Sequence, residues 1–142
     1  MTINETQDLI IEEFSEFEDW LDKYEYLIGL GKDMPIIEEQ YKTSDYLING
    51  CQSKVWVYAT VENGLVKYSA DSDAIITKGI ISLLIRVLSG RTPDEIINSE
   101  LYFIEKIGLR ENLSPTRANG LLAMIKQIKL YAIAYREKLK KS

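Results

Sequence analysis

The chain of 142 residues contains no histidine and a single cysteine, Cys51. A lone cysteine cannot form an intramolecular disulfide, which rules out a fold stapled by disulfides. Zinc sites built from histidine and cysteine need several such ligands, so they are excluded as well. Catalytic units of the Ser-His-Asp or Cys-His type are excluded by the missing histidine. The groups left for chemistry are carboxylates, lysine, tyrosine and the one thiol.

Long apolar runs and targeting signals are also missing. The most apolar stretch, residues 75–88, is interrupted by Lys78, Gly79 and Arg86, and is too short and too polar to span a bilayer. Residues 1–10 lack a basic segment followed by an apolar core, so we expect no signal peptide. We therefore expect a cytoplasmic protein with no membrane partner, in a compartment where a free thiol stays reduced.

Charge is unevenly distributed along the chain. The net charge is -5, which argues against nucleic acid as a partner. Residues 1–39 hold 12 acidic and 2 basic side chains, whereas residues 110–142 hold 2 acidic and 8 basic ones. An acidic first third and a basic last third would attract each other if they lay side by side. We favour that arrangement, and the alternative is a docking surface at one end.

Two capping-box spacings predict helices over residues 4–13 and 16–30. We expect the second helix to end at Gly29 and Gly31. Helical spacing gives it one apolar face, formed by Phe17, Trp20, Leu21, Tyr24, Leu27 and Ile28.

The middle of the chain changes to the alternating pattern of strands. Strands are predicted over 46–48, 55–61 and 65–70. Asn63 and Gly64 predict a type I′ turn between the last two, because both central residues of that turn need a positive φ.

The rest of the chain is predicted to be helical. Ser72 or Asp73 is the expected cap of a buried helix over 74–88, Thr92-Pro93 begins another helix, and further helices cover 101–107 and 115 to about 139. This order of elements indicates one α+β domain over 1–142, with a small antiparallel sheet of about three strands packed against helices.

Cys51 lies in a short polar segment, residues 49–53, between two predicted strands. A free cysteine is most often a small buried hydrophobe, and this is one interpretation. The polar neighbours and Gly50 favour a loop that a partner could approach. Thiol exchange needs only a thiolate and a sulfur to attack, without histidine. A sulfur or acyl carrier, a redox-sensing thiol and an inert residue all remain open.

Asp73 and Arg117 are the other candidates. Asp71 and Asp73 could hold a metal ion, but a helix cap with favourable charge at the helix N-terminus is the interpretation we prefer. Arg117, in the first turn of the last helix, is either solvated or placed to pair with an anion or a thiolate.

Four sequence blocks, in order, resemble the SufE family of sulfur acceptors. The first is Gly50-Cys51-Gln52-Ser53 followed by Val55-Trp56. The others are Asp71-Ser72-Asp73-Ala74 with Lys78-Gly79; Gly90 with Thr92-Pro93 and Glu95-Ile96; and Gly108-Leu109 with Leu113-Ser114-Pro115-Thr116-Arg117 and Asn119-Gly120. Together they cover residues 46–124.

The resemblance implies a function as well as a fold like that of SufE and of the IscU scaffold. SufE-like proteins take sulfur from the persulfide of a SufS-type cysteine desulfurase, stimulate that enzyme and pass the sulfur to a SufB-containing scaffold for iron–sulfur cluster assembly. Cys51 is then the acceptor, and Gly50, Gln52, Ser53, Asp73 and Arg117 support it. No metal or cofactor is expected on this chain, since the pyridoxal phosphate belongs to the desulfurase.

The same resemblance describes a carrier and activator, a monomer or weak homodimer, rather than an enzyme that acts alone. A binding module that activates a desulfurase without carrying sulfur on Cys51 is the alternative. We also expect the Cys51 side chain to be partly sheltered by apolar residues of neighbouring loops, because an exposed persulfide is easily reduced or oxidised. The resemblance places Arg117 near this loop, where its planar guanidinium would hold the thiolate, a loop carbonyl or a carboxylate.

Overall fold

The computed structural model describes residues 1–141, which form six α-helices and one two-stranded antiparallel sheet. The elements in chain order are α1 (Ile3–Ser15), α2 (Trp20–Lys32), β1 (Val55–Glu62), β2 (Leu65–Ser72), α3 (Ile75–Leu88), α4 (Pro93–Ile97), α5 (Phe103–Lys106) and α6 (Pro115–Lys140). Short 3-10 helices cover Glu39–Tyr41, Ser44–Tyr46 and Arg110–Asn112. The predicted α+β class is therefore confirmed.

The hairpin of β1 and β2 forms where the alternating pattern predicted it. Val55 pairs with Ser72 at one end of the ladder, and Glu62 pairs with Leu65 beside the turn. Asn63 and Gly64 have φ values of 54° and 79°, as a type I′ turn requires.

The predicted third strand is wrong. Tyr46 ends a 3-10 helix, and Leu47 forms only an isolated bridge with Trp56. The outer edge of β1 is already occupied farther along, because the Tyr131 and Tyr135 hydroxyls of α6 donate to the carbonyls of Val57 and Ala59 at 2.8 and 2.7 Å. With those acceptors taken by side chains, a third strand has little backbone to pair with.

The boundaries of α2 also differ from the prediction. The helix begins at Trp20 because Asp19, rather than Ser15, accepts the capping hydrogen bond, from the Asp22 amide at 2.9 Å. Phe17 therefore lies outside the helix, and Leu21 is 73% exposed. Gly29 and Gly31 do not end the helix but lie within it.

Gly31 instead lets α2 approach α3. A Cβ on Gly31 would lie 2.9 Å from the Gly79 amide nitrogen, and one on Gly79 would lie 2.4 Å from the Leu27 carbonyl oxygen. These two glycines bring the helix backbones into direct contact, which side chains would prevent.

Helix α3 is the central element, and its residues are buried nearly all round, as predicted. It packs against α1, α2, α6 and β2. Neither Ser72 nor Asp73 is its cap in the predicted sense: the residue before the helix is Ala74, whose amide donates to the Ser72 hydroxyl at 3.2 Å. Within residues 1–141, no helix combines the length and the apolar character needed to cross a membrane.

The last helix, α6, begins at Pro115 as predicted, with the Ser114 hydroxyl accepting from the Arg117 amide at 3.2 Å. Its buried residues include Leu121, Ile128 and Ala132, whereas Leu139 near its end is 40% exposed.

The acidic and basic thirds of the chain form no direct ion pair with each other among the residues described. Glu13 of α1 instead pairs with Arg86 of α3, at 2.5 Å. The two segments do touch, because the Tyr24 hydroxyl donates to the Asn112 carbonyl, but α1 and α2 pack mainly on α3 while α6 packs on α3, α4 and β1. The favoured arrangement therefore gains no ion pair and stays a prediction. The alternative, a docking surface, stays a prediction.

Candidate functional site

Cys51 lies in the segment that connects Ile48 to β1. Gly50 has a φ of 93°, a left-handed value that a residue with a side chain rarely adopts, and it turns the chain toward α6. The Cys51 side chain is half-buried, and its thiol donates to the Gly120 carbonyl with a sulfur–oxygen distance of 3.6 Å. The thiol is partly sheltered, as predicted, but helix α6 provides the shelter together with the loop.

A cavity of about 200 Å³ opens beside the thiol. Three parts of the chain form its walls: the Cys51 segment, the first turns of α3 and the start of α6. The lining residues are Cys51, Gln52, Ser53, Thr77, Ile80, Ser114, Thr116, Arg117, Gly120 and Met124. Gln52, Ser53 and Arg117 were predicted for the site, and the others from α3 and α6 were not.

Gly120 is the wall residue that sequence reasoning missed and that matters most for the thiol. It is buried in α6, and a Cβ built on it would lie 3.5 Å from Cys51 Sγ. The missing side chain lets the sulfur reach the helix carbonyl directly. The available signal was a glycine inside a predicted helix, which often marks a close approach.

Burial raises the pKa of the Cys51 thiol. Desolvation disfavours the charged thiolate, and the hydrogen bond to Gly120 uses the thiol proton. The resting site therefore holds a neutral thiol.

Arg117 borders the same cavity, as the resemblance implied, but it does not hold the thiol. Its side chain is exposed, and within residues 1–141 no hydrogen bond or ion pair to its guanidinium is formed. The expected contact of a planar guanidinium with a thiolate, a loop carbonyl or a carboxylate is absent from the described part of the chain.

Asp73 lies outside the cavity and fixes the end of the Cys51 segment. Its carboxylate accepts from the Lys54 amide at 3.0 Å, and its own amide donates to the Lys54 carbonyl at 3.2 Å. On the other side, the Ile48 amide donates to the Val55 carbonyl at 2.8 Å. Residues 49–53 thus span two fixed ends.

Asp71 is buried and held by two lysines rather than by a metal ion. Its carboxylate lies 2.5 Å from Lys42 Nζ and 3.2 Å from Lys78 Nζ, and it accepts from the Ser72 amide. Burial by itself would raise the pKa of Asp71, but the hydrogen bonds from Lys42, the Ser72 amide and Lys78 together lower it. Among the described residues, no cluster of acidic or sulfur side chains is arranged to hold a metal.

Comparison with known proteins identifies the family to which this site belongs. The SufE family, described as an Fe-S metabolism associated domain, matches residues 8–132. The chain belongs to the SufE family. It is therefore a protein of iron–sulfur metabolism.

Relatives support this assignment over most of the chain. An uncharacterized SufE-like protein of Rhizobium meliloti is 40% identical over an alignment of 127 residues that covers 86% of this chain and 91% of the relative. A SufE-like protein of Synechocystis is 40% identical over 126 residues, covering 89% of this chain and 79% of the relative. SufE-like protein 1, chloroplastic/mitochondrial, of Arabidopsis thaliana is 40% identical over 125 residues, 87% of this chain but 34% of that protein.

Among solved structures, the fold of this SufE-family chain is similar to that of a hypothetical protein from Thermus thermophilus, determined in solution. The TM-score is 0.75 at 23% identity, with 95% of this chain and 96% of the other covered. At that identity the likeness concerns the fold alone.

Proposed function

We propose that Cys51 accepts sulfur from the persulfide of a SufS-type cysteine desulfurase and delivers it to a SufB-containing scaffold for iron–sulfur cluster assembly. The observation that supports this proposal is the cavity beside the only thiol of the chain. A persulfide is one sulfur atom longer than a thiol, and a cavity of about 200 Å³ leaves room for it.

The transfer is a thiol–disulfide type of exchange. The Cys51 thiolate attacks the outer sulfur of the desulfurase persulfide, the sulfur–sulfur bond on the desulfurase breaks, and that cysteine leaves as a thiolate. A new sulfur–sulfur bond forms on Cys51, and the proton of its thiol goes to the departing thiolate or to solvent. One such bond is lost and one is gained, so the step needs no external oxidant or reductant.

Reaction requires the Cys51 segment to leave its resting position. The resting thiol is half-buried and its pKa is raised, so it is a poor nucleophile until it is exposed. Residues 49–53, between the ends fixed by Val55 and Asp73, are the part that swings outward when the desulfurase docks. Arg117, which has no partner among residues 1–141 and lies at the cavity edge, then favours the negative charge on sulfur.

This role makes the protein a carrier and activator whose pyridoxal phosphate chemistry takes place in the partner. We place it in the cytoplasm, where the thiol stays reduced. The alternative function is a binding module that stimulates a desulfurase without carrying sulfur. The raised pKa and partial burial of the Cys51 thiol support this alternative, because a half-buried neutral cysteine can also act only as a small packing residue.

The deciding experiment measures the mass of the intact protein after incubation with desulfurase, pyridoxal phosphate and L-cysteine, before and after a reductant. We expect a reductant-sensitive gain of one sulfur on the wild type and none on Cys51→Ser. Stimulation of the desulfurase by wild type without any sulfur adduct would instead establish the binding module.

The Ser variant must fold for this test to count. Serine is close to cysteine in size and its hydroxyl can donate to the Gly120 carbonyl, so we expect a loss of stability of about 1 kcal/mol or less. Sulfur loading of the folded variant at the wild-type level would refute Cys51 as the acceptor.

A further inference from the structure

Three Asn-Gly pairs occur in this chain: Asn49-Gly50, Asn63-Gly64 and Asn119-Gly120. An asparagine followed by glycine is the sequence most prone to deamidation, because glycine offers no side chain to block attack by its own backbone nitrogen on the asparagine carboxamide. The three pairs have the same local sequence chemistry. Their structural surroundings therefore decide which of them reacts.

Two of the pairs are held in regular structure. Asn63 and Gly64 form the tight hairpin turn, fixed on both sides by the ladder pair of Glu62 and Leu65. Asn119 lies in α6, where the helical pattern holds the amide of the buried Gly120 in a hydrogen bond. Ring closure at Asn119 would first have to break the helix, and ring closure at Asn63 would have to rotate the turn out of the type I′ geometry that the hairpin requires.

The pair Asn49-Gly50 is different. Both residues are exposed and lie in a turn outside the helices and strands. In the part of the chain that the structure describes, neither the Asn49 side chain nor the Gly50 amide takes part in a hydrogen bond. No hydrogen bond in the described part of the chain has to break before the Gly50 nitrogen approaches the Asn49 carboxamide.

We propose that Asn49 is a site of spontaneous modification, where the amide is converted to aspartate and isoaspartate. The Gly50 amide nitrogen loses its proton and attacks the side-chain carbonyl carbon of Asn49, and ammonia leaves to give a five-membered succinimide. Water then opens the ring at either carbonyl. The products are an aspartate, or an isoaspartate whose backbone is one methylene longer, and no oxidant or reductant is used.

The modification adds a negative charge two residues before Cys51, in a segment whose two ends are fixed by Val55 and Asp73. A nearby negative charge disfavours the thiolate, and a longer backbone displaces a loop that has little slack. With Cys51 as the sulfur acceptor, the modification slows sulfur acceptance as the protein ages. This consequence rests on the proposed function.

The site is tested by incubating the folded protein at mildly alkaline pH and mapping its peptides by mass spectrometry over time. Isoaspartate is counted with a protein isoaspartyl methyltransferase and a labelled methyl donor. We expect Asn49 to react at least about tenfold faster than Asn63 or Asn119, a difference of about 1.4 kcal/mol in activation free energy. In denaturant the three rates should converge.

Asn49→Gln is the matched control, since glutamine would need a slower six-membered ring, and it should remove most of the isoaspartate signal. Asn63→Gln should leave the signal unchanged. Equal rates at the three sites in the folded protein, or a signal that disappears with Asn63→Gln, would overturn the proposal.

The consequence for Cys51 has its own test, which separates it from the proposed function. We expect aged protein and Asn49→Asp to react with iodoacetamide more slowly than fresh wild type at the same pH. Unchanged alkylation would refute the effect on the thiol. Failure of fresh wild type to accept sulfur would refute the proposed function, while the peptide map still decides whether Asn49 is modified.

Discussion

At the scale of single residues, the contact of Cys51 with the backbone of α6 sets the resting chemistry of the thiol. The Gly120 carbonyl accepts the thiol proton, and burial raises the thiol pKa. Both effects favour the neutral form, and neither depends on a charged neighbour. The thiol is therefore held in its neutral, partly sheltered form in the resting structure.

The pH dependence of alkylation follows from this raised pKa. In the folded protein, the iodoacetamide rate at Cys51 should rise at a higher pH than in the unfolded chain, where a free thiol titrates near about 8.5. The raised pKa also makes the free energy of unfolding depend on pH. The neutral thiol contributes stability below the pKa of the unfolded chain, and this stability is lost as the pH rises through the pKa of the folded protein. If the iodoacetamide rate of the folded protein had a pH midpoint at or below that of the protein unfolded in urea, the prediction would be contradicted.

Arg117 is the second residue whose role can be measured. It has no partner among the described residues, so Arg117→Ala should change the free energy of unfolding by about 0.5 kcal/mol or less. Sulfur transfer to Cys51 should fall by about tenfold or more. Arg117→Lys should retain much of the rate. In the resting structure the Arg117 side chain makes no contact that requires a planar guanidinium, so its contribution is a positive charge at the cavity edge, which lysine also supplies.

The measurement is the rate of persulfide transfer for the wild type and both variants, with docking affinity determined separately. Wild-type rates in both variants would make Arg117 an ordinary surface residue. A loss confined to affinity would make it a docking residue.

At the scale of elements, the contact between α2 and α3 depends on Gly79. Gly79→Ala should destabilise the protein by about 1–3 kcal/mol, because its Cβ would lie 2.4 Å from the Leu27 carbonyl and the helices would have to separate. Gly29→Ala is the matched control: it lies in α2 with no atom within 4 Å of the added Cβ, so it should stabilise by about 0.5–1 kcal/mol. Urea denaturation of the three proteins checks both signs, and equal effects would refute the close-contact argument.

The Cys51 segment is the element whose movement the proposed function needs, and Asp73 restrains it. Asp73→Ala removes the acceptor for the Lys54 amide, so we expect faster alkylation of Cys51 by about threefold or more, from a released hydrogen bond of about 1 kcal/mol. Asp73→Asn keeps an acceptor oxygen and should give an intermediate rate. Asp45→Ala, at an exposed position, is the control and should leave the rate unchanged. No acceleration in Asp73→Ala would show that another contact restrains the segment.

At the scale of the whole molecule, the charge pattern predicts how the fold responds to acid. The hydrogen bonds from Arg86 and Tyr26 outweigh burial and lower the pKa of Glu13, and the pKa of Asp71 is lowered as well. A lowered carboxyl pKa contributes stability above the unfolded pKa, and that stability is lost as the pH falls through the folded value. The protein should therefore weaken in the acid range below about pH 4.

Denaturation from neutral pH down to about pH 3 measures this effect. Glu13→Gln should lower the stability at neutral pH and flatten its dependence on acid, since the Arg86 pair is lost. Glu12→Gln, its exposed neighbour, should change neither. The same acid dependence in both variants would remove Glu13 from the explanation.

Much of the local structure could be predicted from the sequence because neighbouring residues determine it. The Asn63-Gly64 turn, the helix that begins at Thr92-Pro93 and the start of α6 at Pro115 all formed as predicted. Each depends on hydrogen bonds or backbone preferences within a few residues. Two predictions were wrong: a third strand before Cys51, and the end of α2 at its glycines. Both depend on contacts with distant parts of the chain, the α6 tyrosines at the edge of β1 and Gly79 of α3.

The sequence by itself determined that Cys51 is the only thiol, that histidine chemistry is excluded, and that the motif blocks match the SufE family. The tertiary structure decided where that thiol rests. Its acceptor, Gly120, is 69 positions away, and only the packing of α6 beside the loop joins them. Packing likewise separated Asp71, neutralised by lysines, from Asp73, which restrains the loop. Such contacts form when the buried surfaces of distant elements pack together, so they cannot be predicted from the spacing of neighbouring residues in the sequence.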